Sequence, residues 1–148
     1  MNTDVIRKRL QVRETFATVI AEERFMELAR QTIVAARADI ESYIAEQPRF
    51  LTSLEPLPVD MAAPQVARRM AAAAVLAGVG PMAAVAGAIA QVTVEALVAA
   101  GARHIIVDNG GDLVMRIDRP VTIGIFTGPS RIRDIALRPA AQGCFAAN

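Results

Sequence analysis

From residue 25 to residue 44 the apolar side chains Phe25, Ala29, Ile33, Ala36, Ile40 and Ile44 recur at steps of four, four, three, four and four, with Glu, Arg and Gln between them. That spacing is one stripe of an α-helix, and it predicts a long amphipathic helix over about 22–46 with a solvated charged face. Before it, Val12, Phe16, Val19 and Ile20 stand among Thr15 and Thr18, a β-branched run that predicts a first strand over 11–20. Prolines at 48, 56, 58 and 64 then remove backbone donors and favour extended geometry, so 46–64 reads as a surface loop pinned by Phe50, Leu51 and Leu54. Pro64 suits the first turn of a helix that Gly78 ends after Ala77, and Pro81 suits a second that Gly101 ends after Ala100. Beyond Gly101 the period falls to two, predicting strands over 103–108, 112–117 and 121–126 and a fourth over about 132–137.

Between the first two of these strands lies Asn109-Gly110-Gly111, residues that accept positive φ at little cost and so predict a hairpin. A three-residue loop would set Val107 against Leu113, Ile106 against Val114 and Ile105 against Met115. It would also place Asp108 opposite Asp112, a like-charge pair that a cation or a hydrogen-bonding ligand would relieve.

Composition sharpens this picture at three points. Alanine carries much of the 53% apolar content and aromatics make up 4%, so the helices are expected to pack closely through small side chains. No charged residue occurs from Met70 to Val94, a run long enough to cross a bilayer. Its alanines and glycines contribute little to insertion, and Gly78, Gly80 and Pro81 divide it, so it reads as a buried helix pair instead. Sixteen basic and fifteen acidic residues leave a net charge of +1 with no basic cluster, which gives no nucleic-acid footprint. Cys144 is alone and the amino end has no secretory pattern, so the expectation is a reduced, cytoplasmic, single-domain protein.

Two places could carry chemistry. The helix opened by Pro81 would leave the backbone donors of Met82, Ala83 and Ala84 free at its positive end, with Gly78 and Gly80 allowing a phosphate, carboxylate or flavin edge to come close. A Pro-led helix after glycines is also an ordinary corner, and the segment is neither a Walker loop nor a GxGxxG. The other place is the turn of Asn109, Gly110, Gly111 and Asp112, which is also what any tight turn asks for. His104 is the single histidine and reads as a structural strand residue; Ser42, Ser53 and Ser130 lack the glycines of a nucleophile elbow. Glu95 interrupts an uncharged helix, where it could anchor a ligand or face solvent.

Together "EQPRFLTSLEPL", "AAPQVARRMAAAAVLAGVGPMAAVAGAIAQ" and "IIVDNGGDLVM" resemble the ApbE-like superfamily, and especially its short, uncharacterised bacterial and archaeal branch. The resemblance covers most of residues 12–138. It implies an α+β, T-fold-related architecture, with long helices packed on an antiparallel sheet. Better-known members transfer FMN from FAD to a threonine of a target protein, with magnesium. Carried onto this chain, the resemblance puts Gly78, Gly80, Pro81, Met82, Ala83 and Ala84 beside Asn109, Gly110, Gly111 and Asp112 around one pocket for FAD, FMN or a related ligand.

This sequence departs from that pattern near Glu14 and Thr15, where Phe16 replaces an expected acidic residue. It departs again at "RPAAQGCFAAN", where relatives continue into Thr-Ser-Gly and Asp-Ala-x-x-Thr stretches that supply the magnesium ligands. The chain is therefore expected to be a shortened relative in which the metal site and transferase activity are weakened. Three readings follow: a flavin- or phosphate-ligand pocket protein, a non-catalytic homo-oligomer covering its own exposed faces, and a small metal-dependent hydrolase using Asp108 and Asp112.

Overall fold

The computed structural model describes residues 4–125, 128 and 135–140, and the backbone of 143–147. Its first elements are two antiparallel strands, β1 (Val5–Val12) and β2 (Thr15–Glu22), joined by a turn in which Arg13 takes a left-handed φ of 52°. The expected single strand over 11–20 is thus corrected to the second arm of a hairpin. Its turn carries Arg-Glu instead of glycine or asparagine, and the run Arg7-Lys8-Arg9 masks the alternation of β1. Arg37 holds the turn from outside: its guanidinium donates to Thr15 Oγ1 at 2.7 Å and to Glu14 Oε2 at 2.5 Å.

A short 3-10 turn at Glu23–Phe25 leads into helix α1 (Met26–Glu46). Phe25, Ala29, Ile33, Ala36 and Ile40 are all buried, as the four-three spacing requires, while Ile44 is half-buried. The loop beyond contains one turn of helix, α2 (Arg49–Thr52), which buries Phe50 edge-on against Tyr43 with ring centroids 5.0 Å apart. Leu51 and Leu54 do not join it. Within the short helix Phe50 takes the place that faces the core and Leu51 is left exposed, while Leu54, beyond the helix end, is 87% exposed.

Helix α3 (Gln65–Ala77) follows Pro64 and ends where Gly78 adopts φ 68°. Pro81–Ala84 form a 3-10 turn that runs into helix α4 (Val85–Ala99), which Gly101 closes at φ 96°. The stretch Pro81–Ala99 is long and apolar enough to cross a membrane. Here it is the central helix, packed on α1, α3 and the sheet, with only Ala83 and Ala99 exposed.

The chain then adds β3 (Ile105–Asn109), β4 (Asp112–Ile117), the short β5 (Ile123–Gly124) and β6 (Ala136–Leu137), and β7 (Gly143–Ala147). The main sheet is antiparallel, in the order β1-β2-β3-β4-β7, and β5 pairs with β6 separately. This is the expected α+β class. Of the strand expected over 121–126, two of the described residues, Ile123–Gly124, are strand and 126 lies outside the described residues; most of the one expected over 132–137 lies outside them too, as does Ser130.

The sheet has an inner face, where Leu10, Ala17, Val19, Ala21, Ile105, Val107 and Val114 pack on the helices. Each large aliphatic side chain removed from water there contributes about 1.5–3 kcal/mol. On its outer face Ile106, Met115 and Ile117 form a second buried cluster, flanked by Ile20, Leu113, Val121 and Ile123.

Candidate functional site

Two φ-positive glycines, Gly110 at 65° and Gly111 at 103°, make the β3–β4 connection a two-residue loop, the geometry whose twist suits a hairpin. Asn109 therefore pairs with Asp112, Asp108 with Leu113, and Val107 with Val114. The expected three-residue loop is wrong by one position, and in a strand one position is a change of face. Asp108 and Asp112 do not oppose each other but lie on opposite faces of the sheet. Asp108 Oδ1 instead accepts the Gly111 N–H at 3.0 Å, a local turn bond.

The register is set from the helix side. Asn109 is buried, and its amide nitrogen donates to the carbonyl of Ala86 in the first turn of α4 at 3.0 Å. One position on, Asp112 lies over Gly87: a Cβ there would sit 3.4 Å from the carboxylate Oδ2, in van der Waals contact. The glycine hairpin and the start of α4 are thus neighbours. Between them lies a cavity of about 180 Å³ lined by Ala84, Gly87, Gln91, Asp112 and Arg69 among others.

Arg69 is the cation of this cavity, and periodicity alone does not reveal it. Its Nη2 donates to Glu95 Oε2 at 2.6 Å, and Gln91 Nε2 donates to Glu95 Oε1 at 3.2 Å, so Glu95 positions both side chains. The Arg69 Nε–H is enclosed and has no acceptor among the described residues. The signal in the sequence is a pair of opposite charges across the two helices that share a corner: Arg68-Arg69 near the start of α3 and Glu95, the single charged residue of α4.

The remaining residues singled out at that corner separate. Gly80 is buried, and the backbone it admits is the chain's own: a Cβ on it would lie 1.8 Å from the carbonyl oxygen of Ser53. Gly78 faces open space. Pro81 is buried, and Met82 turns toward α1, into a smaller cavity of about 170 Å³ with Arg37 and Ile40. Of the amides expected to be free, that of Ala83 is bonded to the Gly80 carbonyl at 3.1 Å. Gly110 and Gly111 line a third cavity, of about 590 Å³, on the outer face of the sheet.

His104 is buried just before β3, with Nδ1 2.9 Å from Asp118 Oδ1, a structural pairing. Among the described residues no group of three or more His, Cys, Asp or Glu side chains comes close enough to hold a metal ion. With Asp108 and Asp112 on different faces, the hydrolase reading loses its carboxylate pair.

A family model described as AbpE bacteria matches residues 2–146. A UPF0280 protein of Methanocella arvoryzae is 48% identical over 129 residues, which cover 87% of this chain and 53% of the relative. One from Methanosphaerula palustris is 49% identical over 129 residues, 86% of this chain and 54% of the relative. One from Archaeoglobus fulgidus is 45% identical over 127 residues, 85% and 53%. The chain spans about half the length of the curated relatives it matches.

Proposed function

The chain belongs to the AbpE bacteria family, and from that premise we propose that it is a ligand-binding protein for a flavin or a related phosphate-bearing compound. The observation that carries this reading is that Ala84 and Asp112, from the two segments selected on the sequence, line one cavity with Arg69.

The donor set suits an anion. The Arg69 guanidinium, the Gln91 amide and the positive end of α4 are what a phosphate oxygen seeks. At about 180 Å³ the cavity is below the roughly 300–1,000 Å³ of pockets that enclose a whole drug-sized ligand. It would therefore take the phosphate end, leaving a flavin ring outside. Asp112 disfavours a highly charged anion beside it and favours a ligand that also brings a hydroxyl, such as a ribityl or ribose chain, for that carboxylate to accept. A flavin held there would supply its own redox and group-transfer chemistry; this chain's residues bind and orient it. Magnesium is a poorer fit, since the described carboxylates do not converge, so the reading is of binding and not of metal-assisted transfer.

Titration of the purified chain with FAD, followed by flavin absorbance and fluorescence with and without magnesium, tests this. Binding that Arg69→Ala weakens about tenfold or more supports it; no binding in either buffer overturns it. A homo-oligomer is proposed on a separate observation: Leu54, Val75, Leu76 and Val79 are exposed around the α3 corner, Leu76 by 91%. Light scattering that finds a monomer at micromolar concentration would contradict it.

A further inference from the structure

The outer face of the sheet carries a groove that the proposed function does not use. Cross-strand register places Arg9, Thr18 and Asp108 in one row over β1, β2 and β3. In the next row toward the sheet end Gln11 pairs with Phe16, and the third place, beyond the last β2–β3 pair, falls to Gly110. Gly110 has no side chain, so the row is one residue short beside an aromatic ring. The result is a cavity of about 590 Å³, within the range of small-molecule sites.

Its chemistry is sorted by position. Arg9 has no ion pair among the described residues, so its guanidinium stands free at one wall. Asp108 stands at the other, roughly two strand spacings or about 10 Å away by Cα. One of its oxygens is taken by Gly111, which fixes the carboxylate and leaves the second oxygen to accept. Phe16 is 63% exposed on the floor, although large aromatic side chains usually seek cover.

We propose that this groove binds a small aromatic acid: a flat ring lying on Phe16, an anionic group on Arg9, and N–H or O–H donors turned to Asp108. Mononucleotides have that arrangement. The site is on the opposite face of the sheet from the Arg69 cavity, so the two are independent.

Guanosine 5′-monophosphate is the probe, titrated into the ¹⁵N-labelled chain, with ribose 5-phosphate as the ringless control. The expected result is that the amides of Thr18 and Gly110 shift, that Arg9→Gln and Phe16→Ser each weaken binding at least fivefold, and that ribose 5-phosphate binds at least tenfold less tightly. Both substituted positions are exposed, so the variants fold. Absence of shifts at 5 mM probe, or binding indifferent to both substitutions, overturns the proposal. Shifts confined to Ala84, Gly87 and Asp112 overturn it as well, while supporting the cavity on the other face.

Discussion

Alanine at position 80 separates two roles that a glycine in this corner could have. If Gly80 were kept bare to admit a ligand, Gly80→Ala would lower affinity and leave stability unchanged. In the fold described above it is bare because the loop at Ser53 lies against it. The new Cβ would fall 1.8 Å from the Ser53 oxygen and 2.7 Å from its carbonyl carbon, where real contacts essentially never come below 3.0 Å. The two backbones must then part by about 1.2 Å, and overpacking against atoms that cannot rotate away sits at or above the upper end of its usual 1–3 kcal/mol. Gly78→Ala is the control: nothing among the described residues lies within 4 Å, and the cost is the left-handed φ of 68° alone, about 1 kcal/mol. Taking about 2.1 cal/mol/K of unfolding entropy per residue for 148 residues, the two losses become falls in Tm of about 10 °C and about 3 °C. Calorimetry and urea unfolding measure both. Equal stability of the two variants, or a Gly80→Ala protein as stable as the parent, would refute the reasoning.

Three further outcomes are expected. Asn109→Ala removes the bond to Ala86 that fixes the hairpin on α4, while the Ala86 carbonyl keeps its place in the helix, at a cost of about 0.5–1.5 kcal/mol in urea unfolding; no loss would mean the contact does not hold the register. The Glu27 carboxyl is lowered from 4.5 to about 2, first by its hydrogen bonds from Arg30 and then by that from Gln31. Because the folded value lies below the unfolded one, its contribution is complete above about pH 4.5 and is lost as pH falls toward 2. The gap in urea midpoint between the parent and Glu27→Gln should therefore close on acidification, and a gap that stays constant from pH 6 to 2 would contradict this. Glu95→Gln should change stability by less than about 1 kcal/mol, since its ion pair with Arg69 is part-exposed, yet loosen any anion held by Arg69; unfolding and FAD titration on the same variant check both halves.

Much of the helical part was legible because its signals are local and repeated. The four-three spacing of Phe25 to Ile40 marks one buried face, and Pro64, Gly78, Pro81 and Gly101 are punctuation whose meaning depends on their own backbone. The strand β1 was hidden because its turn uses Arg13 in a left-handed conformation that no composition rule anticipates. The hairpin at Gly110 is legible in the sequence, but its register differs by one residue from the expected one. Asn109 is drawn out of the loop by a bond to Ala86, a contact 23 residues away in sequence. The same limit applies to the candidate site. That Ala84 and Asp112 meet follows from packing of α4 on β3 and β4, and Arg69 enters only through its partner Glu95 on another helix. Side chains that act across elements leave no periodic trace.

The most direct test of the cavity between the α4 start and the glycine hairpin is titration of the ¹⁵N-labelled chain with FAD, following backbone amides. Ala84, Gly87 and Asp112 are expected to shift together and saturate, Gly78 to stay in place, and Arg69→Ala to raise the FAD concentration needed for the response about tenfold or more. A saturating response that spares those three amides, or none at all, would contradict this expectation.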